Sequence, residues 1–151
     1  MTTFPTFDAL VAATGRELGP GPWHLIDQAR VDRFAEVSED RQWLHTDPER
    51  AKAESPFGVT VAHGFLTLSL LTAMLMELVA VEEAKAVVNY GFNRVRFPAP
   101  VVVGSSLRLR LRVAEVTEIA GGVQVRFDLT VENDRQAKPA CVAELLFRYL
   151  R

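Results

Sequence analysis

The chain is poor in the residues that hold folds together covalently or through metals. Among 151 residues there is one cysteine, Cys141, and there are three histidines, His24, His45 and His63. A single thiol excludes an internal disulfide and any cysteine-rich metal centre. It lies in a strand-like segment, where an inert buried thiol is expected and a nucleophile is not. An excess of charge of one sign is also missing. The formal net charge is −2, so neither nucleic acid nor an anionic membrane surface is an expected partner. The N-terminus, Met1 to Asp8, lacks the basic start and apolar core of an export signal. Residues 55–76 carry no Asp, Glu, Lys or Arg, but Pro56, Gly58, His63 and Gly64 interrupt them. Their continuous apolar part is shorter than a bilayer requires. A buried core helix in a cytoplasmic protein is the expectation. No repeat or low-complexity linker divides the chain, so residues 1–151 are expected to form one domain.

What is present is apolar sequence with a clear period, 48% of the residues. Residues 7–17 have the pattern of a short helix closed by Gly19-Pro20-Gly21-Pro22, and 23–27 alternate as a short strand. Val31, Phe34, Ala35 and Val37 have helical spacing over 28–38, with Asp27 as N-cap. Asp47 and Pro48 mark a second helix start, which Pro56 and Gly58 stop after about Glu54. Residues 65–81 read as a long helix apolar on most faces, which must therefore be enclosed. The remainder is strand-like. Residues 86–97 place Val88, Tyr90 and Phe92 on one side, and 107–113 and 123–131 alternate strictly. Turns at Gly121-Gly122 and Asn133-Asp134 separate these from a last strand over 139–150. Alternating antiparallel strands must pack one face on something, and the apolar helix is the element large enough. The expected fold is α+β, a long central helix gripped by a curved antiparallel sheet.

Chemistry concentrates in Asp40-Arg41-Gln42-Trp43-Leu44-His45 and in Val61-Ala62-His63-Gly64. Alone, Asp40 reads as a solvated residue past a helix end, and His45 as a histidine bonded to backbone. A carboxylate and an imidazole five residues apart, ahead of an apolar helix, together suggest proton transfer on a molecule carrying an acyl chain. Gly64 opens that helix, where free N–H groups and the positive dipole end favour developing negative charge. The other polar residues read more plainly. Asp47 is a helix cap, His24 a surface strand residue, and Arg108, Arg110 and Arg112 a solvated strand face, the alternative being that a subset of basic residues meets the phosphates of CoA. Asn93 and Arg94 suit loop or dimer contacts. Three histidines without a second ligand at helical or hairpin spacing make no metal site.

The order Asp40, His45, short helix, His63-Gly64 and apolar helix resembles the MaoC-like dehydratase family. These are hotdog-fold proteins that include the (R)-specific enoyl-CoA hydratases. The stretch from Asn89 through Asn93, Arg94 and Phe97 to Gly104 is similar to its NodN-like single-domain branch, and the resemblance spans residues 23–149. It implies that Asp40 and His45 share one water and add it, syn and reversibly, across a trans-2-enoyl thioester. The backbone N–H of Gly64 would hold the thioester oxygen. Gln42, Trp43, Leu66, Ser69, Leu70 and Ala73 are the implied substrate contacts, with no metal or cofactor. His63, beside Gly64, reads either as a further substrate contact or as a packed, hydrogen-bonded residue at the helix start. The substrate would be an acyl-CoA or acyl carrier protein thioester, and the assembly a homodimer. Many members carry Asn-Pro where this chain has Gln42-Trp43, which keeps a polar group and alters the shape of the pocket. Two alternatives stay open: a hotdog acyl-CoA thioesterase, and a non-catalytic acyl-binding subunit of a dehydratase. Thioesterases of this fold commonly place a carboxylate on the central helix near the thioester, and Glu77 stands towards the far end.

Overall fold

The computed structural model describes residues 1–151. Strands β6 (Ser105–Ile119), β7 (Gly122–Asn133) and β8 (Gln136–Leu150) run antiparallel in sequence order. Their alternation is what the pleat demands. Leu107, Leu109, Leu111 and Val113 are buried on one face of β6, whereas Arg108, Arg110 and Arg112 take the other. Each fully buried leucine contributes about 1.5–3 kcal/mol, so a single register fits. At the β6–β7 turn a Cβ on Gly122 would lie 2.0 Å from the Tyr149 carbonyl oxygen, so only glycine passes. β2 (Glu17–Leu18) and β3 (His24–Ile26) pair with β6. β5 (Ala86–Arg96) pairs with β8 and leaves its other edge unbonded, completing a six-stranded sheet.

Helix α5 (Gly64–Met76) lies on the apolar face of this sheet. Leu66, Leu71, Met74 and Leu75 enter one core with Leu109, Phe127, Leu145 and Phe147. The α+β expectation is met, with corrections. The helix stops at Met76, and Val79–Val81 forms β4, paired in parallel with β1 (Thr2–Phe4). The β-branched Val79 and Val81 suit a strand, and the partner lies too far away in sequence to be seen in the local pattern. Nor is α5 enclosed all round: Phe65 is 70% and Met76 50% exposed, with Ser69 and Ala73 exposed between them.

Helix α1 (Phe7–Ala12) is shorter than its pattern, because Glu17 and Leu18 join the sheet. On β5, Val88 and Tyr90 both neighbour Arg148, and Phe92 does not share their face. Irregularities at Asn89/Gly91 and Phe92/Arg94 break the alternation, so Val88 lies opposite Arg148 and Phe92 opposite buried Leu145. Helices α2 (Gln28–Ser38) and α4 (Pro48–Glu54) start where their caps predict. Asp27 accepts the Arg30 N–H at 2.8 Å, and Asp47 that of Arg50 at 3.0 Å. Val37, expected on the apolar face of α2, is 86% exposed. α3 (Trp43–Thr46) is a single turn between them. No helix is long and apolar enough to cross a membrane.

Candidate active site

The site is built where two loops meet the start of α5. Past Ser38, Glu39 adopts a left-handed conformation (φ 62°), which ends α2 and turns the chain towards α3. The second loop, 60–63, lies alongside α3: the Val61 N–H donates to the Leu44 carbonyl at 3.1 Å. On its other side the Ala62 N–H donates to the Val101 carbonyl at 2.8 Å, and the Val103 N–H to that of Thr60 at 2.9 Å. The 60–63 loop is thus clamped from both sides, with α5 leaving its end.

His45 is 9% exposed and its Nδ1 lies 2.7 Å from the Val61 carbonyl oxygen. A carbonyl only accepts, so Nδ1 carries the proton and neutral His45 keeps its lone pair on Nε2. His63 is fixed in the opposite sense. Its Nε2–H donates to the Asp40 main-chain carbonyl at 2.9 Å, leaving Nδ1 buried and without a partner. The two imidazoles stack with centroids 3.8 Å apart and planes 28° from parallel, and Phe34 approaches His63 at 5.0 Å. One donor atom each from Asp40, His45 and His63 lies within 4.8 Å of the others, and Asp40 is exposed. That donor set has the chemistry of a divalent-ion site, and each histidine is braced by a carbonyl as metal ligands often are. The stacked rings argue otherwise, since nearly parallel imidazoles send their in-plane lone pairs side by side and not towards one ion. The arrangement suits proton transfer better.

Two residues that bind this site together, Gln28 and Thr60, belong to no motif. Gln28, on the first turn of α2, donates its Nε2–H to the His45 carbonyl at 2.7 Å and also reaches the Asp32 carboxylate at 2.7 Å. Its Oε1 accepts the Thr60 hydroxyl at 2.5 Å, and Thr60 is buried. A glutamine on a surface-patterned helix announces none of this. The one available signal was Thr60 itself, a hydroxyl within an apolar stretch.

Gly64 is the first residue of α5, and His63 before it offers no side-chain cap. The first N–H groups of the helix, which have no intrahelical acceptors, therefore have no side-chain cap either. A Cβ on Gly64 would come 3.2 Å from the Phe97 ring, so the glycine lets Phe97 pack against the helix start. A cavity of about 390 Å³ opens here, bounded by Gly64, Thr67, Phe97, Ala99 and Ala140.

The remaining predicted contacts separate. Gln42 is exposed and its carbonyl accepts the His45 N–H at 2.9 Å, while Trp43 lies 4.5 Å beneath the Arg50 guanidinium. Leu66 is in the core, Leu70 is half-buried, and Ser69 and Ala73 lie on the outward stripe of α5. Glu77 caps the far end of α5 and bonds His24 Nε2 at 2.9 Å. Cys141 is fully buried, and burial pushes its thiol up to about 11, the state of an inert side chain.

Known proteins agree with this architecture. The chain is 46% identical over 151 residues to 3-hydroxyacyl-thioester dehydratase Z of Mycobacterium tuberculosis, covering 99% of each chain. It is 44% identical over 131 residues to Nodulation protein N of Rhizobium leguminosarum bv. viciae, covering 85% of this chain and 81% of that one. Among solved structures, unliganded R-hydratase PhaJ1 from Pseudomonas aeruginosa superposes with a TM-score of 0.75 at 25% identity, over 91% of this chain and 82% of that one. That solved structure shares the hotdog fold, a helix held by an antiparallel sheet. The MaoC like domain matches residues 9–134. With that match over most of its length and a full-length dehydratase relative, the chain belongs to the MaoC-like family of hydratases and dehydratases.

Proposed function

We propose that the protein is an (R)-specific enoyl-thioester hydratase, a single MaoC-like hotdog domain over residues 1–151 acting on acyl-CoA or acyl carrier protein thioesters. The observation that carries this is the meeting of Asp40 and His45, within 4.8 Å, beside the uncapped start of α5. His45, with Nδ1–H committed to Val61, offers Nε2 as a proton acceptor, and the Asp40 carboxylate holds the attacking water. The water oxygen bonds to C3 of the enoyl group as its proton passes to the pair. A proton from the same pair goes to C2 on the same face, so the elements of water add syn. Negative charge gathers meanwhile on the thioester oxygen, which the Gly64 N–H and the helix dipole stabilise. The reverse sequence dehydrates the 3-hydroxyacyl thioester.

The thioesterase alternative loses ground. Glu77 lies thirteen residues beyond Gly64, about 20 Å along a helix, and is engaged by His24.

The acyl chain runs beside α5 along Ser69, Leu70 and Ala73, and a second copy of the chain covers it. Two features support the homodimer. The outward stripe of α5 exposes Phe65 and Met76, and the unbonded edge strand β5 exposes Val87, Val88 and Tyr90. Uncovered apolar edges of this kind invite pairing. Sedimentation is expected to give twice the chain mass of 16.8 kDa, and a monomer at assay concentration overturns this part of the reading.

The functional test follows loss of the enoyl-thioester absorbance with crotonyl-CoA and with a longer trans-2-enoyl-CoA, and the product is resolved on a chiral phase. Hydration giving the (R)-3-hydroxyacyl thioester is the expected result. Thiol release without hydration would assign a thioesterase. No reaction with CoA or carrier-protein substrates would leave an acyl-binding subunit.

A further inference from the structure

We propose that His63 is a positioning residue that holds the Asp40–His45 pair in register, a role distinct from substrate contact and resting on the hydratase reading above. Its ring is 3% exposed, with His45 stacked at 3.8 Å and Phe34 at 5.0 Å. One nitrogen is bonded and the other buried, so little of the ring is left for a substrate to touch.

What His63 does hold is the loop that carries Asp40. Residues 39–42 begin on a left-handed turn, and their other bonds are local. The Arg41 N–H donates to the Glu39 carbonyl at 3.1 Å and the Asp40 N–H to the Ser38 hydroxyl at 3.4 Å. The Thr46 hydroxyl reaches the Arg41 and Gln42 carbonyls, and the His45 N–H that of Gln42. The His63 Nε2–H donation to the Asp40 carbonyl is the one hydrogen bond that ties this loop to a distant part of the chain. The ring that makes it also lies flat against His45, whose own Nδ1 is anchored to Val61, two residues before His63. One side chain, on the residue before Gly64, therefore couples the carboxylate-bearing loop to the imidazole. The unpartnered Nδ1 points the same way. A phenylalanine would fill the stack without leaving a buried lone pair, so the polar edge is explained by what Nε2 does.

Two variants divide the two contacts. His63→Phe keeps a flat ring between Phe34 and His45 and deletes the donation to Asp40. His63→Gln keeps an N–H donor and deletes the stacked face. Loss of placement on the ångström scale costs about 100-fold in rate, and that is the expected fall in kcat for His63→Phe, with KM little changed. His63→Gln is expected to fall between the wild type and His63→Phe. Hydrogen exchange supplies a readout without turnover. Amides of residues 39–44 should exchange faster in His63→Phe while those of α5 stay protected. Wild-type kcat in folded His63→Phe, or a raised KM with kcat intact, overturns the proposal, as does unchanged exchange at 39–44. If His63→Phe does not fold, His63→Leu, which deletes both contacts with an apolar side chain, takes its place, and wild-type kcat in it overturns the proposal equally. A wild-type protein that hydrates nothing would break the hydratase reading, and the exchange result would still decide the positioning role.

Discussion

Polar side chains gather in two regions of this molecule and are held in opposite ways. On the outer face of the sheet charge meets charge. Arg108 and Arg110 share Glu132 at 2.6 and 2.5 Å, and Arg112 and Arg126 share Asp128. Around α3 and the 60–63 loop no ion pair involves Asp40, His45 or His63; there His45 bonds the Val61 carbonyl, His63 that of Asp40, and Gln28 that of His45. An ion pair on the surface joins two mobile side chains and is screened by water. A bond to a main-chain carbonyl refers the side chain to the fold itself. The first arrangement keeps a sheet face solvated, and the second fixes reacting groups in place.

The sharpest way to break this contrast is to remove the reacting groups. Asp40→Asn and His45→Gln are each expected to lower hydratase kcat by about 10²–10⁴ and to leave the circular dichroism spectrum as it is. Retained activity in either would separate this site from the chemistry. A smaller effect is expected one step back. Gln28→Ala strips partners from the Thr60 hydroxyl and the His45 carbonyl. Leaving buried groups unpaired costs about 1–3 kcal/mol, so urea unfolding should shift by that amount and kcat should fall as α3 loosens. Thr60→Val added to Gln28→Leu should cost less than the two single changes summed, because neither polar group is then left alone. Strict additivity would show that the two side chains do not act together.

How much of this was legible in the sequence follows the range of the interactions. Asp27, Asp47 and Pro48 act within a turn of themselves, and α2 and α4 begin where those residues predict. The strict alternation of 107–113 and 123–131 fixed the core face of β6 and β7 for the same reason. The local pattern carries α5 past its true end because Val79–Val81 is drawn off by Thr2–Phe4, a partner supplied from the start of the chain. The faces of β5 depart from simple alternation because two irregularities reset a period of two. At the site, Asp40, His45, His63 and Gly64 were visible as residue types at a spacing. What they bond to was not. Gln28 reaches Thr60 across 32 positions and His63 reaches Asp40 across 23, distances over which no local pattern survives.

The smallest expected effect tests the other half of the contrast, on the charged face of the sheet. Partial desolvation works to raise the Glu132 carboxyl, and hydrogen bonds from Arg108 and Arg110 outweigh it, so its pKa lies below the ordinary value. A carboxyl depressed in the folded state contributes stability above its unfolded pKa and loses it as pH falls through the folded one. Glu132→Gln should therefore change stability at neutral pH by less than about 1 kcal/mol. The gap from wild type should narrow in thermal melts as the solution is acidified, and added salt should shrink it further. Hydratase kcat should not move, because Glu132 touches none of Gln28, Asp40, His45 or His63. A fall in kcat, or a gap that widens in acid, would mean that the charged face does more than keep the sheet solvated and that the two regions are coupled through it.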